Sequence, residues 1–175
     1  MESIITIVKL NDVELPSIED LRLAVESYGD HLSIIESPLI LNRELFNRER
    51  EQFDAQKILY TLYELKRHSR WQKVLGITNE DIFSEGMNFI FGLACPTDGV
   101  CVVSLHRLID FQKPELTLVE KARITKEIAH EIGHTYGLEH CNRKNCVMAF
   151  SNSVWDVDVK DSDLCERCKN ILSIR

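Results

Sequence analysis

Apolar and polar positions follow two different periods along this chain, and the switches between them mark its elements. Residues 3–10 (SIITIVKL) are a nearly unbroken apolar run of strand length and predict a buried strand. Pro16-Ser17 opens a helical pattern through Ser27, with Ile18, Leu21, Ala24 and Val25 on one face and Gly29 at its end. Residues 31–39 (HLSIIESPL) predict a second strand. Phe53, Ile58, Leu59, Leu62, Tyr63 and Leu65 recur near helical spacing and predict one long amphipathic helix over 48–69. Residues 73–83 read as a strand and turn, 87–94 and 100–105 as further strands, and the Pro96-Thr97-Asp98-Gly99 turn between the last two predicts a hairpin. A helix is expected from about 116 to 136, and a short one near 162–172.

The order β-α-β-α-β-β-β-α predicts an α/β (α+β) single domain, a twisted mixed sheet packed by helices. At 175 residues the chain suits one domain, 1–175. Its character changes near Gly137. An upper sheet and helix part, 1–137, precedes a loop-rich, cysteine-bearing lower part, 138–175.

Composition narrows the function classes. The formal charge is −7, and no basic stripe of the kind a nucleic-acid binder shows is present. RELFNRER and LKRHSRWQK read as solvated helix faces. No apolar stretch is long enough for a membrane span. The start, MESIITIVKL, carries Glu2 where a signal peptide wants positive charge, so it reads as a strand rather than a targeting segment. The expected compartment is therefore cytoplasmic and reducing, where clustered cysteines bind metal more often than they form disulfides.

The chemistry concentrates in His130-Glu131-Ile132-Gly133-His134-Thr135-Tyr136-Gly137-Leu138-Glu139-His140. On a helix, residues four apart share a face, so His130 and His134 can converge on one metal. Glu131 projects about 100° from His130 and can stand beside a water at an open ligand position. His140 cannot join on a continuing helix, since it would lie about 9 Å beyond His134. The chain must turn back, and Gly137 is the residue that permits it. Three neutral imidazoles leave zinc with an open position and an acidified water, and Glu131 can take the proton as general base. A bare HExxH is a moderate signal; five fixed positions within eleven residues are a far stronger one.

Cys141 and Cys146, with the Cys165-x-x-Cys168 pair, supply the four thiolates of a structural zinc site. Such a site would fold the irregular tail and anchor the loop carrying His140. Two disulfides or plain buried thiols are the rival readings. Cys95 and Cys101 flank a turn and are assigned to packing or a fortuitous thiol pair. Together the two clusters predict two zinc ions, both chosen by nitrogen and thiolate ligands.

HEIGHTYGLEH resembles the metzincin zinc motif, HExxHxxGxxH followed by a Met-turn. Cys141-x4-Cys146-x-Met148 with Cys165-x2-Cys168 is similar to the archaemetzincin branch, which carries a zinc-binding cysteine set just after that motif. The close resemblance spans 130–168. It implies a metzincin-like fold, a zinc metalloprotease acting on a peptide substrate, and Met148 as an apolar floor beneath the histidines. Two departures stand out. Sixteen residues (149–164) separate Met148 from Cys165, where the family has about seventeen, a difference a loop absorbs. No tyrosine follows two residues after Met148. With no latency cysteine in view, a narrow or shielded cleft admitting short peptides is expected. Phe89–Ala94 is the candidate edge strand to which a peptide could add, with Gly92 allowing close backbone approach; an interior hairpin strand is the plainer reading. Two further readings are a zinc-stabilised binding module with a silent HExxH, and a zinc hydrolase of non-peptide substrates.

Overall fold

The structure is a computed structural model that describes residues 3–174, apart from the Glu36 side chain. Met1 and Glu2, part of the start weighed as a targeting segment, lie outside the described residues. The main sheet has five strands in the order β2-β1-β5-β8-β7: β1 (Ile4–Leu10), β2 (His31–Leu39), β5 (Lys73–Thr78), β7 (Gly92–Cys95) and β8 (Val100–Ser104). The first four pair in parallel, and β7 runs antiparallel to β8 at the sheet edge. A sheet whose parallel strands are buried on both faces needs apolar residues at consecutive positions, which is why β1, β5 and β8 read as unbroken runs.

The two faces divide that burial by alternation. Ile5, Ile7, Leu75, Ile77, Cys101 and Val103 face a core shared with α1 (Ile18–Glu26) and α3 (Leu118–Thr135), and this core continues to Met148, Val157, Leu164 and Cys168. Val8, Leu10, Val74, Val100 and Val102 face the second core, closed by α2 (Ala55–Arg67). Gly76 allows α2 to sit close, since a Cβ there would lie 2.7 Å from Leu10 Cδ1 and 2.8 Å from Leu62 Cδ1.

Three elements depart from the sequence expectation. The helix expected over 48–69 begins only at Ala55. Ahead of it, β3 (Phe46–Asn47) and β4 (Gln52–Asp54) form a small hairpin, and Phe53 packs from a strand instead of a helix. The cause is local: Asn47 Oδ1 accepts the Glu49 and Arg50 amides, Glu51 takes φ 54°, and Asp54 caps the helix by accepting from Gln56 N. The strand expected over 87–94 is regular only from Gly92. Upstream, Ile90 bridges to Ile82 of β6 (Ile82–Phe83), which pairs with β4 in a second sheet. Arg50 holds the intervening segment by donating to the carbonyls of Met87 (2.7 Å) and Asn88 (3.0 Å). The tail, expected to be irregular before its last helix, also forms α4 (Val154–Val159), capped by Ser153; α5 (Glu166–Ser173) follows. Six residues of apolar and acidic character were too short a pattern to show helical period.

Helix α3 starts with a capping box. Thr117 Oγ1 accepts from Glu120 N, and Glu120 Oε2 accepts from Thr117 N at 2.8 Å, while Oε1 accepts from Asp110 N at 2.7 Å. Hydrogen bonds from Thr117 and Asp110 pull the Glu120 carboxyl down from 4.5 to about 2. A depressed folded-state value means stability that is present above the unfolded value and disappears as pH falls through the folded one. Glu120→Gln is therefore expected to be less stable than the parent protein at neutral pH. That difference should shrink as pH falls from 4.5 towards 2, read by urea denaturation at a series of pH values. A difference independent of pH would show that the ionised carboxylate is not what closes the box.

Candidate metal centres and active site

The end of α3 decides the geometry. Tyr136 is its C-cap, and Gly137 follows at φ 73°. Gly137 N donates to His134 O at 2.8 Å and Leu138 N to Gly133 O at 3.1 Å, the paired bonds of a Schellman turn. The chain thereby reverses within two residues and brings His140 back to the helix. The ring centroids of His130, His134 and His140 stand 4.6, 5.3 and 4.8 Å apart pairwise (130–134, 130–140 and 134–140).

The rings are also fixed in orientation. His130 Nδ1 meets Val147 O at 2.8 Å and His134 Nδ1 meets Leu138 O at 2.7 Å. A carbonyl only accepts, so each Nδ1 carries the proton and each Nε2 keeps its lone pair. The two Nε2 atoms lie 3.0 Å apart, and one ligand nitrogen from each of the three rings falls within 4.8 Å of the others. Zn–N bonds of about 2.0–2.1 Å in a tetrahedral arrangement need nitrogens roughly 3.3 Å apart, so the set fits a zinc ion. Burial pushes all three imidazoles below their usual range and so keeps them in the neutral form a metal binds. His130 is buried and His134 half-buried; the His140 residue is exposed overall, and its desolvation is confined to the side on which His130, His134 and Phe150 pack.

Glu131 is buried beside them, and burial, with Glu127 next, raises its carboxyl well above the usual range. Its carboxylate lies against β7: a Cβ on Gly92 would stand 2.6 Å from Glu131 Cγ and Oε1. The close approach that Gly92 allows is thus made by Glu131. Valine at this position would displace that carboxylate whatever β7 does with a peptide. Of the segment Phe89–Ala94 expected as an edge strand, residues 92–94 belong to β7 at the sheet edge.

A cleft of about 660 Å³ opens between this edge and α3. It is bordered by Asn88, Phe89, Glu127, Glu131, the three histidines and Phe150. The half-exposed Phe150 ring packs on His140 at 5.1 Å.

The second cluster lies just behind. Cys141, Cys146, Cys165 and Cys168 bring their sulfurs within 4.8 Å of one another, with Cys141–Cys165 and Cys146–Cys168 both at 3.8 Å. Disulfide bonding needs about 2.05 Å. A tetrahedral ion with Zn–S of about 2.3 Å needs sulfurs about 3.8 Å apart. The donor set and its spacing therefore fit a closed four-thiolate zinc site. Burial raises the Cys165 thiol, but hydrogen bonds from Cys168 N and the neighbouring sulfurs outweigh it and bring it down to about 7. All six cysteines are free, and Cys101 is buried in the sheet core.

Met148 is fully buried, and Met148 O accepts from Cys141 N at 2.8 Å, which ties the two clusters together. Its sulfur packs against Gly133: a Cβ there would fall on Met148 Sδ and 2.7 Å from Tyr28 Oη. Tyr28 Oη itself donates to Ala129 O at 2.7 Å. Sequence reasoning missed Gly133, Tyr28 and Val147. Only Gly133 carried a signal, since glycine inside a helix costs about 1 kcal/mol and usually marks a close neighbour.

A family model described as peptidase family M54 matches residues 18–173. The archaemetzincin of Saccharolobus solfataricus is 39% identical over 168 residues, covering 94% of this chain and 90% of its own. The crystal structure of archaemetzincin from Methanopyrus kandleri superposes with a TM-score of 0.84 at 33% identity, covering 99% of this chain and 94% of its own. That of a zinc-dependent peptidase from Methanocorpusculum labreanum gives 0.85 at 29% identity, covering 96% and 99%.

Gly133→Ala is expected to destabilise the protein by about 1–3 kcal/mol through overpacking, against the helix propensity that favours alanine. Thermal denaturation checks this; an unchanged or higher Tm would mean Met148 and Tyr28 yield freely.

Proposed function

The chain belongs to peptidase family M54, and from that premise we propose that His130, His134 and His140 hold a catalytic zinc and that Glu131 is the general base of peptide-bond hydrolysis. The observation that carries this reading is the convergence of three neutral imidazoles, two of them locked by Nδ1 bonds, on one cleft that also presents a buried carboxylate. Bound there, zinc supplies Lewis acidity, which makes water acidic near neutral pH and polarises a carbonyl. Glu131 takes the proton of the attacking water and passes it to the leaving amine. Burial, with Glu127 next, raises its carboxyl above the usual range. Met148 forms the apolar floor. Cys141, Cys146, Cys165 and Cys168 hold a second, structural zinc, and Gly137 sets the turn between the two sites.

The peptide lies along β7, adding to its free edge as an extra strand. A cleft of about 660 Å³ suits a short extended segment. Residues 1–175 work as a single domain whose upper part (1–137) and lower part (138–175) share one core, from Ile5 to Cys168. No helix among the described residues is long and apolar enough to cross a membrane. Six free cysteines suit the reducing cytoplasm. Membership of a peptidase family disfavours both the silent binding module and a hydrolase of other substrates.

Metal content and turnover of a mixed peptide library test this in the parent protein and in Glu131→Ala. Two zinc ions in each are expected, with hydrolysis reduced by about 10²-fold or more in the variant. Zinc in both without hydrolysis by either would sink the peptidase reading, and fewer than two zinc ions would sink the two-site one. Separately, Cys165→Ser with Cys168→Ser should lose one zinc and lower Tm while the histidine-bound metal stays. Full retention of both ions would remove the four-cysteine assignment.

A further inference from the structure

The fold buries a second carboxylate beside the histidines that the reaction above does not use. Glu127 precedes Glu131 by four residues on α3, so both project from one face, and both border the cleft with His130. Glu127 is 3% exposed, and so is its partner, Lys160. Lys160 caps the C-terminus of α4 and reaches inward to place Nζ 2.9 Å from Glu127 Oε1. Neighbouring cations on α3 behave differently. Arg123 makes a two-pronged bond with Asp158 at 2.7 Å, and Lys126 donates to the carbonyls of Val157 and Asp158. These already fasten α3 to α4 at the rim, so the Lys160 pair is not needed as a tether.

Stability does not explain the pair either. Desolvating two charges costs about as much as their attraction returns, and an apolar pair of similar shape would pack as well. The explanation lies in what the carboxylate would do alone. A carboxylate oxygen binds zinc at about 2.0–2.2 Å, much as an imidazole does, and this one borders the cleft where three imidazoles meet.

We propose that Lys160 is a positioning residue, which draws the Glu127 carboxylate into a buried ion pair and so keeps it from joining the three histidines as a further metal ligand. Glu131 is then the one carboxylate left to work on the attacking water. The inference rests on the zinc reading of the histidines.

The test compares Lys160→Met, Glu127→Gln and the double variant with the parent protein. Two quantities are read: zinc affinity of the histidine site, by competition with a chromogenic chelator, and kcat and KM on a peptide. Lys160→Met should bind that zinc about 10–100-fold more tightly and lose kcat by a similar factor, the range seen when outer partners of a metal site are disturbed, with KM little changed. Glu127→Gln in the same chain should return the affinity towards the parent value and recover most of kcat. Damage to packing alone would loosen the zinc and leave the double variant impaired, so unchanged or weaker zinc binding in folded Lys160→Met would overturn the proposal. Should Lys160→Met fail to fold, Lys160→Leu, which likewise removes both the charge and the donor, is read the same way. His134→Ala identifies the histidine-bound ion. If it loses no zinc, the zinc reading itself fails, independently of Lys160.

Discussion

One α-helix cannot set three imidazoles around a point. Two fit, four residues apart on one face, and a third further along the axis would be out of reach. Everything about this site follows from how the chain meets that constraint. It ends α3 with a left-handed glycine and reverses, so that the amides of Gly137 and Leu138 satisfy the last carbonyls of the helix while His140 comes back beside His130 and His134. The same turn exposes Leu138 O to His134 Nδ1. The reversal thus delivers the third ring and fixes the second.

Close approach is the second theme. Two glycines let other elements come against the active helix where a methyl group would intrude. Gly92 of β7 leaves room for the Glu131 carboxylate, and Gly133 of α3 leaves room for Met148 and Tyr28. One sets the edge strand against the Glu131 carboxylate; the other seats Met148, from the lower part of the molecule, under the helix. Val147 sits between them in effect, since its carbonyl holds His130 and its amide donates to Asp163 O at 3.2 Å. The cysteine cluster stands behind this arrangement. Cys141 follows His140 directly and shares a hydrogen bond with Met148, so an ion held by the four sulfurs would stiffen the backbone on which the third histidine and the floor both depend.

The buried charges follow from burying that face of α3. Glu127 and Glu131 lie on a helix face that the sheet and the tail cover, and apolar cover raises the cost of any charge left without a partner. Lys160 meets Glu127 from the tail. Burial, with Glu127 next, raises the Glu131 carboxyl above its usual range.

The sequence by itself determined the donors and much of the frame. The grouping of His130, His134, His140 and Glu131, the paired cysteines, Gly137 after the last helical residue and the unbroken apolar strands were all legible, because each follows from local periodicity or from the spacing that a shared metal would demand. The helix start at Ala55 and the shortened β7 were not, because turn bonds at Asn47 and a bridge from Ile90 to Ile82 override propensity over a few residues, and the six residues of α4 are too few to show a helical period. Only the tertiary structure decided what faces what: Gly92 against Glu131, Met148 against Gly133, Val147 O on His130 and Lys160 on Glu127. These contacts join residues from 15 to 39 positions apart. Nothing in local spacing encodes them, since they arise where the packed sheet, the helix and the returning tail compete for the same space.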